Sequence, residues 1–231
     1  MSFNLGWQNF EQEVNRADEK INLAKASLFY AQAEYPDLDV EKYLNILDAM
    51  AKDITDRLPE ERYPLKVIET INDYLFNLLG YKGNNKNYYD PRNSFLNDVL
   101  DRCTGIPITL SVIYLELAKR LNFPMAGVGM PGHFLIRPTF ESSGIFVDVF
   151  NRGEILFKED CAAKLEQMYQ KPVPLKPQFL ANVSNRHILV RMLTNLKYIY
   201  LSSNQLSKAL DIISGILMLF PDNPKAVSYT H

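Results

Sequence analysis

Between residues 107 and 121 the chain places Leu110, Ile113, Tyr114, Leu117, Ala118 and Leu121 at the i, i+3, i+4, i+7 spacing of one helical face. Val112 and Leu115 widen that stripe until the helix is nearly apolar all round. Such a helix must be central, so the rest of the chain has to wrap it. Gly105-Ile106-Pro107 leads into it, and proline is best tolerated at the first helical position. Beyond it, residues 125–128, 133–136 and 145–149 are short apolar runs bounded by Gly, Pro and Ser. They are predicted strands of a small antiparallel sheet packed on that helix.

Both flanks read as helical. An amphipathic stripe through Val14, Ile21, Leu28 and Ala31 predicts one helix over 10–35, ended by Pro36. Leu44, Leu47, Met50, Ile54 and Leu58 mark a second helix, and Leu65, Ile68, Ile71, Leu75 and Leu79 a third, with Gly80 past its end. These are expected to form a core-building bundle. GNNKNYYDPRNS then reads as an ordered loop, with Asn93 or Ser94 an N-cap for a short helix through Leu100. After the Pro-rich link KPVPLKPQ, two further stripes run from Ile188 to Ile199 and from Ala209 to Leu217, with SSNQ as their turn. The fold class expected from these elements is α+β.

Composition narrows the function. In 231 residues, 25 Lys plus Arg face 27 Asp plus Glu, so the chain lacks the broad positive field that nucleic-acid backbones require. No window holds 18 consecutive apolar residues, and the amino-terminal stretch has neither a basic nor an apolar signal-peptide region, so no membrane span and a cytoplasmic location are expected. Cys103 and Cys161 are too few and too distant for a disulfide framework or a CxxC site. With three His, one of them terminal, no metal or other cofactor is expected. GVGMPGH is not a GxGxxG opening a helix, and GxxxxGK[ST] is absent, which argues against a nucleotide cradle.

Residues 92–156 carry GIPI followed by T and LS, the YLELAKRL helix, GVGMPGHFL and FVDVFNRG, in that order. This series resembles the transglutaminase-like core of bacterial SirB-type proteins. YIYLSSNQLSKALDIISGILMLFPDNPKA is similar to a tetratricopeptide unit, as also follows the core in that family. The resemblance divides the chain into an amino-terminal helical region (1–82), a transglutaminase-like core (83–170) and a tetratricopeptide-like region (171–231). The last ends at VSYTH, where another helix would begin, as in a truncated or atypical array.

The resemblance also implies a site. Its members hold a Cys at the amino end of the buried helix, a strand His, and an Asp on the next strand that orients the imidazole. His133 and Asp148 match the last two. Where a Gly-x-Cys motif would place its nucleophile, this chain has Pro107. Cys103, four residues earlier, is the substitute if its loop folds back, and the helix hydroxyls Thr109 and Ser111 are weaker ones. Cys161 reads as a packing residue. Tyr89, Arg92, Asn93 and Arg137, with Pro107 itself, are candidate binding residues around the cleft.

Two functions follow as expectations. One is a non-catalytic interaction or regulatory module that binds a protein or peptide. The other is a Cys-dependent peptidase, amidase or acyltransferase in which Cys103 attacks, His133 is the general base and Asp148 orients it. A pseudoenzyme sensing a small amine or acyl ligand in the old cleft fits the same residues.

Overall fold

In the computed structural model, which describes residues 5–140 and 144–221, the elements run α1 (Leu5–Val14), α2 (Leu23–Glu34), α3 (Val40–Thr55), α4 (Pro64–Asn72), β1 (Lys82–Gly83), α5 (Leu96–Arg102), β2 (Thr104–Gly105) and α6 (Pro107–Arg120). Then follow β3 (Met125–Val128), β4 (Leu135–Pro138), β5 (Phe146–Asp148), β6 (Glu154–Leu156), α7 (Lys158–Tyr169), β7 (Asn182–Val183), α8 (Asn185–Ser202) and α9 (Leu206–Leu219). The fold is α+β. The carboxy-terminal VSYTH and most of the PDNP turn lie outside the described residues. Among the described residues, no helix is long and apolar enough to cross a membrane.

The chain forms two compact units, each assembled from separated segments. One comprises residues 46–83 and 103–183. At its centre is α6, whose residues from Pro107 to Ala118 are all buried, as its all-round apolar sequence demands. It packs on β3 and β4 of a five-stranded antiparallel sheet ordered β6-β5-β4-β3-β7. Tyr114 anchors α6 to α4 by donating its hydroxyl hydrogen bond to Ile68 O at 3.3 Å. Val128, Met130, Leu135, Phe146 and Leu156 of the sheet region share a core with Cys161 and Leu165 of α7. α4 continues into a π-helical turn (Asp73–Leu78), closed by Gly80 at φ 72°.

The other unit comprises residues 1–45, 84–102 and 184–231. Here α1 lies so close on α2 that a Cβ on Gly6 would sit 2.5 Å from Ala33 N and 2.6 Å from Phe29 O. α8 and α9 form a hairpin, with α9 meeting α1 and α8 meeting α2. Trp7 lies over Gly215.

Three local expectations are corrected. The single helix over 10–35 is two helices, because Glu13 turns its carboxylate back to accept Asn22 N at 2.8 Å and Asn22 caps α2 by accepting Lys25 N. The intervening Asp18 instead accepts the first amides of α8, Asn185 N and Arg186 N. Neither Asn93 nor Ser94 caps α5: it begins at Leu96, with Val99 N bonded to Phe95 O, and Asn93 is occupied in its own loop. His133 is not on a strand. Gly132 at φ 74° and a hydrogen bond from His133 N to Met130 O make residues 130–133 a tight turn, and the strand begins at Leu135.

Candidate functional site

Asp148 closes β5, is 0% exposed and accepts Asn151 N at 3.2 Å, turning the chain into a short 3-10 segment (Val149–Asn151). Arg152 and Gly153, both left-handed, complete the reversal into β6. Asn72 fixes it by donating to Gly153 O at 2.8 Å, and a Cβ on Gly153 would collide with the Asn72 side chain. The carboxylate therefore sits on a backbone with little freedom.

His133 meets it from the turn before β4, its Nε2 2.9 Å from Asp148 Oδ2. The ring stands edge-on to Phe150 at 6.2 Å between centroids, and the Phe150 ring fills the space where a side chain on Gly83 would project. His133 is 8% exposed.

Lys164 of α7 reaches the same oxygen, with Nζ 2.5 Å from Asp148 Oδ2 and 3.1 Å from Glu154 Oε2. Asn151 Nδ2 donates to it as well, at 2.7 Å. Burial alone would raise the Asp148 carboxyl, but His133 and Lys164 outweigh burial and hold it well below the ordinary carboxylate range. For Lys164 the desolvation that would lower its ammonium is outweighed by Asp148 and Glu154, and it is raised. Neither Lys164 nor Asn151 was among the residues expected at the site. The only trace of Lys164 in the sequence is its place beside the buried stripe of Cys161 and Leu165 on α7.

The nucleophile candidates are distributed differently. Pro107 is buried in the first turn of α6, where it offers no reactive atom. Thr109 is consumed by capping: its hydroxyl donates to Ile106 O at 3.1 Å and accepts Ile106 N at 3.2 Å. Ser111 Oγ is buried and meets no hydrogen-bond partner among the described residues. Cys161 is fully buried, and burial with the nearby Asp160 pushes its thiol up to about 11, the opposite of an activated nucleophile. Cys103 is half-buried at φ 49°, between α5 and β2, and its carbonyl accepts Lys82 N at 3.0 Å where β1 and β2 pair in parallel.

Among the binding candidates, Arg137 stacks its guanidinium over the Phe146 ring at 5.1 Å. The remaining three belong to the other unit. Tyr89 is 64% exposed and touches the rings of Tyr88 and Tyr198. Arg92 pairs with Asp90 at 2.8 Å. Asn93 is 0% exposed, donating to Asn87 O and Tyr88 O and accepting from Asn84 Nδ2, which makes it the organiser of its own loop. Among the described residues, no group of three or more His, Cys, Asp or Glu side chains is placed to hold a metal ion.

Residues 41–194 match the protein family described as Transglutaminase-like superfamily. The chain is 38% identical over 214 residues to a UPF0162 protein of Xylella fastidiosa, a match that covers 91% of this chain and 76% of the relative. It is 30% identical to a UPF0162 protein of Vibrio cholerae over 91% of this chain and 79% of that one. It is also 34% identical over 139 residues to F-box only protein 21 of Mus musculus, covering 57% of this chain and 21% of the mouse protein. No solved structure matches the chain.

Proposed function

Because the chain belongs to the transglutaminase-like superfamily, we propose that it is a non-hydrolytic, SirB-type member that binds a protein or peptide. The observation that carries this reading is Pro107 in the first turn of the buried helix, the position from which the resemblance expects a thiol. The oxygen that would orient a catalytic imidazole is, in addition, shared between His133 and Lys164. The α8–α9 hairpin supports a partner-binding role. In the tetratricopeptide-like reading, its exposed Leu206, Leu210 and Leu217 are the kind of side chains that a partner helix covers. The protein is then a cytoplasmic interaction module.

One observation favours the hydrolase reading: a non-glycine residue held at positive φ, as Cys103 is, often marks a functional position. Alkylation separates the two. With iodoacetamide below pH 7, the non-hydrolytic reading expects Cys103 to react no faster than a free thiol, and amide and peptide substrates to remain uncleaved. Fast labelling of Cys103 together with turnover that Cys103→Ala abolishes would overturn it.

A further inference from the structure

We propose that a recess among α1, α2, α8 and α9 is a binding site for a primary alkylammonium group, and that Lys208 is its internal occupant. The recess measures about 30 Å3, and it is lined by the rings of Trp7, Tyr30, Phe95 and Tyr200 and by the carboxylates of Glu34 and Asp211. That is room for about two waters, and so for a small polar head group rather than a ring. All of these residues belong to one unit. An aromatic face attracts a cation through its quadrupole, and a carboxylate adds opposite charge and hydrogen-bond acceptors. The chain itself shows this combination holding an ammonium: Lys208 Nζ lies over the Tyr200 ring, 5.4 Å from its centre, while it pairs with Glu34 Oε1.

The walls are fixed before any ligand arrives, which lowers the ordering cost of binding. Tyr30 is buried and donates its hydroxyl hydrogen bond to Ser94 O at 2.6 Å, and its ring meets Phe95 at 6.1 Å between centroids. Trp7 stands edge-on to Phe10 and lies over Gly215, where a Cβ would come within 2.3 Å of its ring. Tyr200 is buried, and its hydroxyl donates to Glu34 Oε2 at 3.5 Å. Lys208 differs from these walls: its side chain is 43% exposed on a flexible four-carbon stem, so it can swing out into water. Glu34 offers acceptors that an N–H-bearing ammonium uses and a quaternary one cannot, which selects the primary form. A tethered lysine competes at an effective concentration on the order of millimolar, so an outside amine gains the recess only against Lys208. The proposal concerns a different unit from the His133–Asp148 pair and does not rest on the non-hydrolytic reading.

Trp7 is the chain's only tryptophan, so its indole N–H is a single reporter on the recess. The test titrates the full chain, labelled with 15N and held at pH 7 and constant ionic strength, with butylammonium chloride and with a short peptide carrying one internal lysine. In Lys208→Met a saturable shift of the Trp7 signal is expected, at an affinity about tenfold or more above wild type because the internal competitor is gone. Adding Glu34→Gln to Lys208→Met is expected to lose about tenfold of that affinity, as removal of a charged acceptor does. Should Lys208→Met fail to fold, Lys208→Gln takes its place. Saturation by the peptide as well as by butylammonium supports a lysine side chain as the ligand, and saturation by butylammonium alone supports a free amine. The proposal is overturned by the absence of a saturable shift in the variant, by a response that sodium chloride reproduces, by equal affinity in wild type and variant, or by tetramethylammonium binding as tightly as butylammonium. Turnover of amides would overturn the non-hydrolytic reading and leave this assignment standing.

Discussion

At the scale of single residues, Asp148 is a buried carboxylate with several partners at once. It holds the turn after β5, the His133 ring and the Lys164 ammonium through one buried carboxylate. Replacing it by Asn leaves Lys164 without its nearest counter-charge, and breaking a buried pair in this way costs about 3–5 kcal/mol. Chemical denaturation of Asp148→Asn at neutral pH measures that loss. The pH dependence follows from the depressed carboxyl. A group whose folded value lies below its unfolded one contributes stability that is complete above the unfolded value, about 3.9 for Asp, and is withdrawn as pH falls through the folded value. The advantage of wild type over Asp148→Asn is therefore expected to be full near neutrality and to shrink below about pH 4. An advantage that stays constant through the acid range would show that the carboxylate's charge is not what stabilises the turn.

At the scale of elements, α1 and α2 approach each other backbone to backbone at Gly6. A methyl group on Gly6 would meet backbone atoms of Phe29 and Ala33, which cannot swing aside as a side chain can. Gly6→Ala is expected to push the two helices apart and to cost about 1–3 kcal/mol, read as a lower denaturation midpoint. Equal stability of the variant would mean that α1 can shift without loss. The sequence made some elements plain and hid others, for physical reasons. α6 was legible because a helix apolar all round has only one place to go. The break between α1 and α2 was not, since Val14, Ile21 and Leu28 keep their spacing across it, while the features that cause it are a carboxylate turned onto Asn22 and a cap at Asn22. The apolar run after Gly132 reads as strand from His133, but Gly132's left-handed backbone delays the strand by two residues. β1, β2 and β7 have two residues each, too few for any periodicity. The nearness of His133 and Asp148 was suggested by the resemblance, whereas Lys164 had no pattern to announce it, because which carboxylate a lysine meets depends on how α7 packs beside β5 and β6.

At the scale of the whole molecule, neither unit is a continuous stretch of chain. The α1–α2 layer is closed by α8 and α9, made from the other end of the sequence. A chain ending at Val183 would leave Phe10, Leu28 and Ala31 without part of the surroundings that bury them in the full chain. Its loss of helical circular dichroism is expected to exceed what the deleted α8 and α9 account for, because α1 and α2 would fray as well. A loss equal to the deleted residues alone would mean that the first helices stand without the last.

The same connectivity sets an order of events during synthesis. The segments that build the unit around α6 are complete once Val183 has been made, while α1 and α2, translated well before α8 and α9, await those two helices. At about 5–20 residues added per second, those early helices spend on the order of ten seconds with apolar faces open in the nascent chain. Their exposure to holding chaperones and to self-association is thus written into the order in which the segments leave the ribosome.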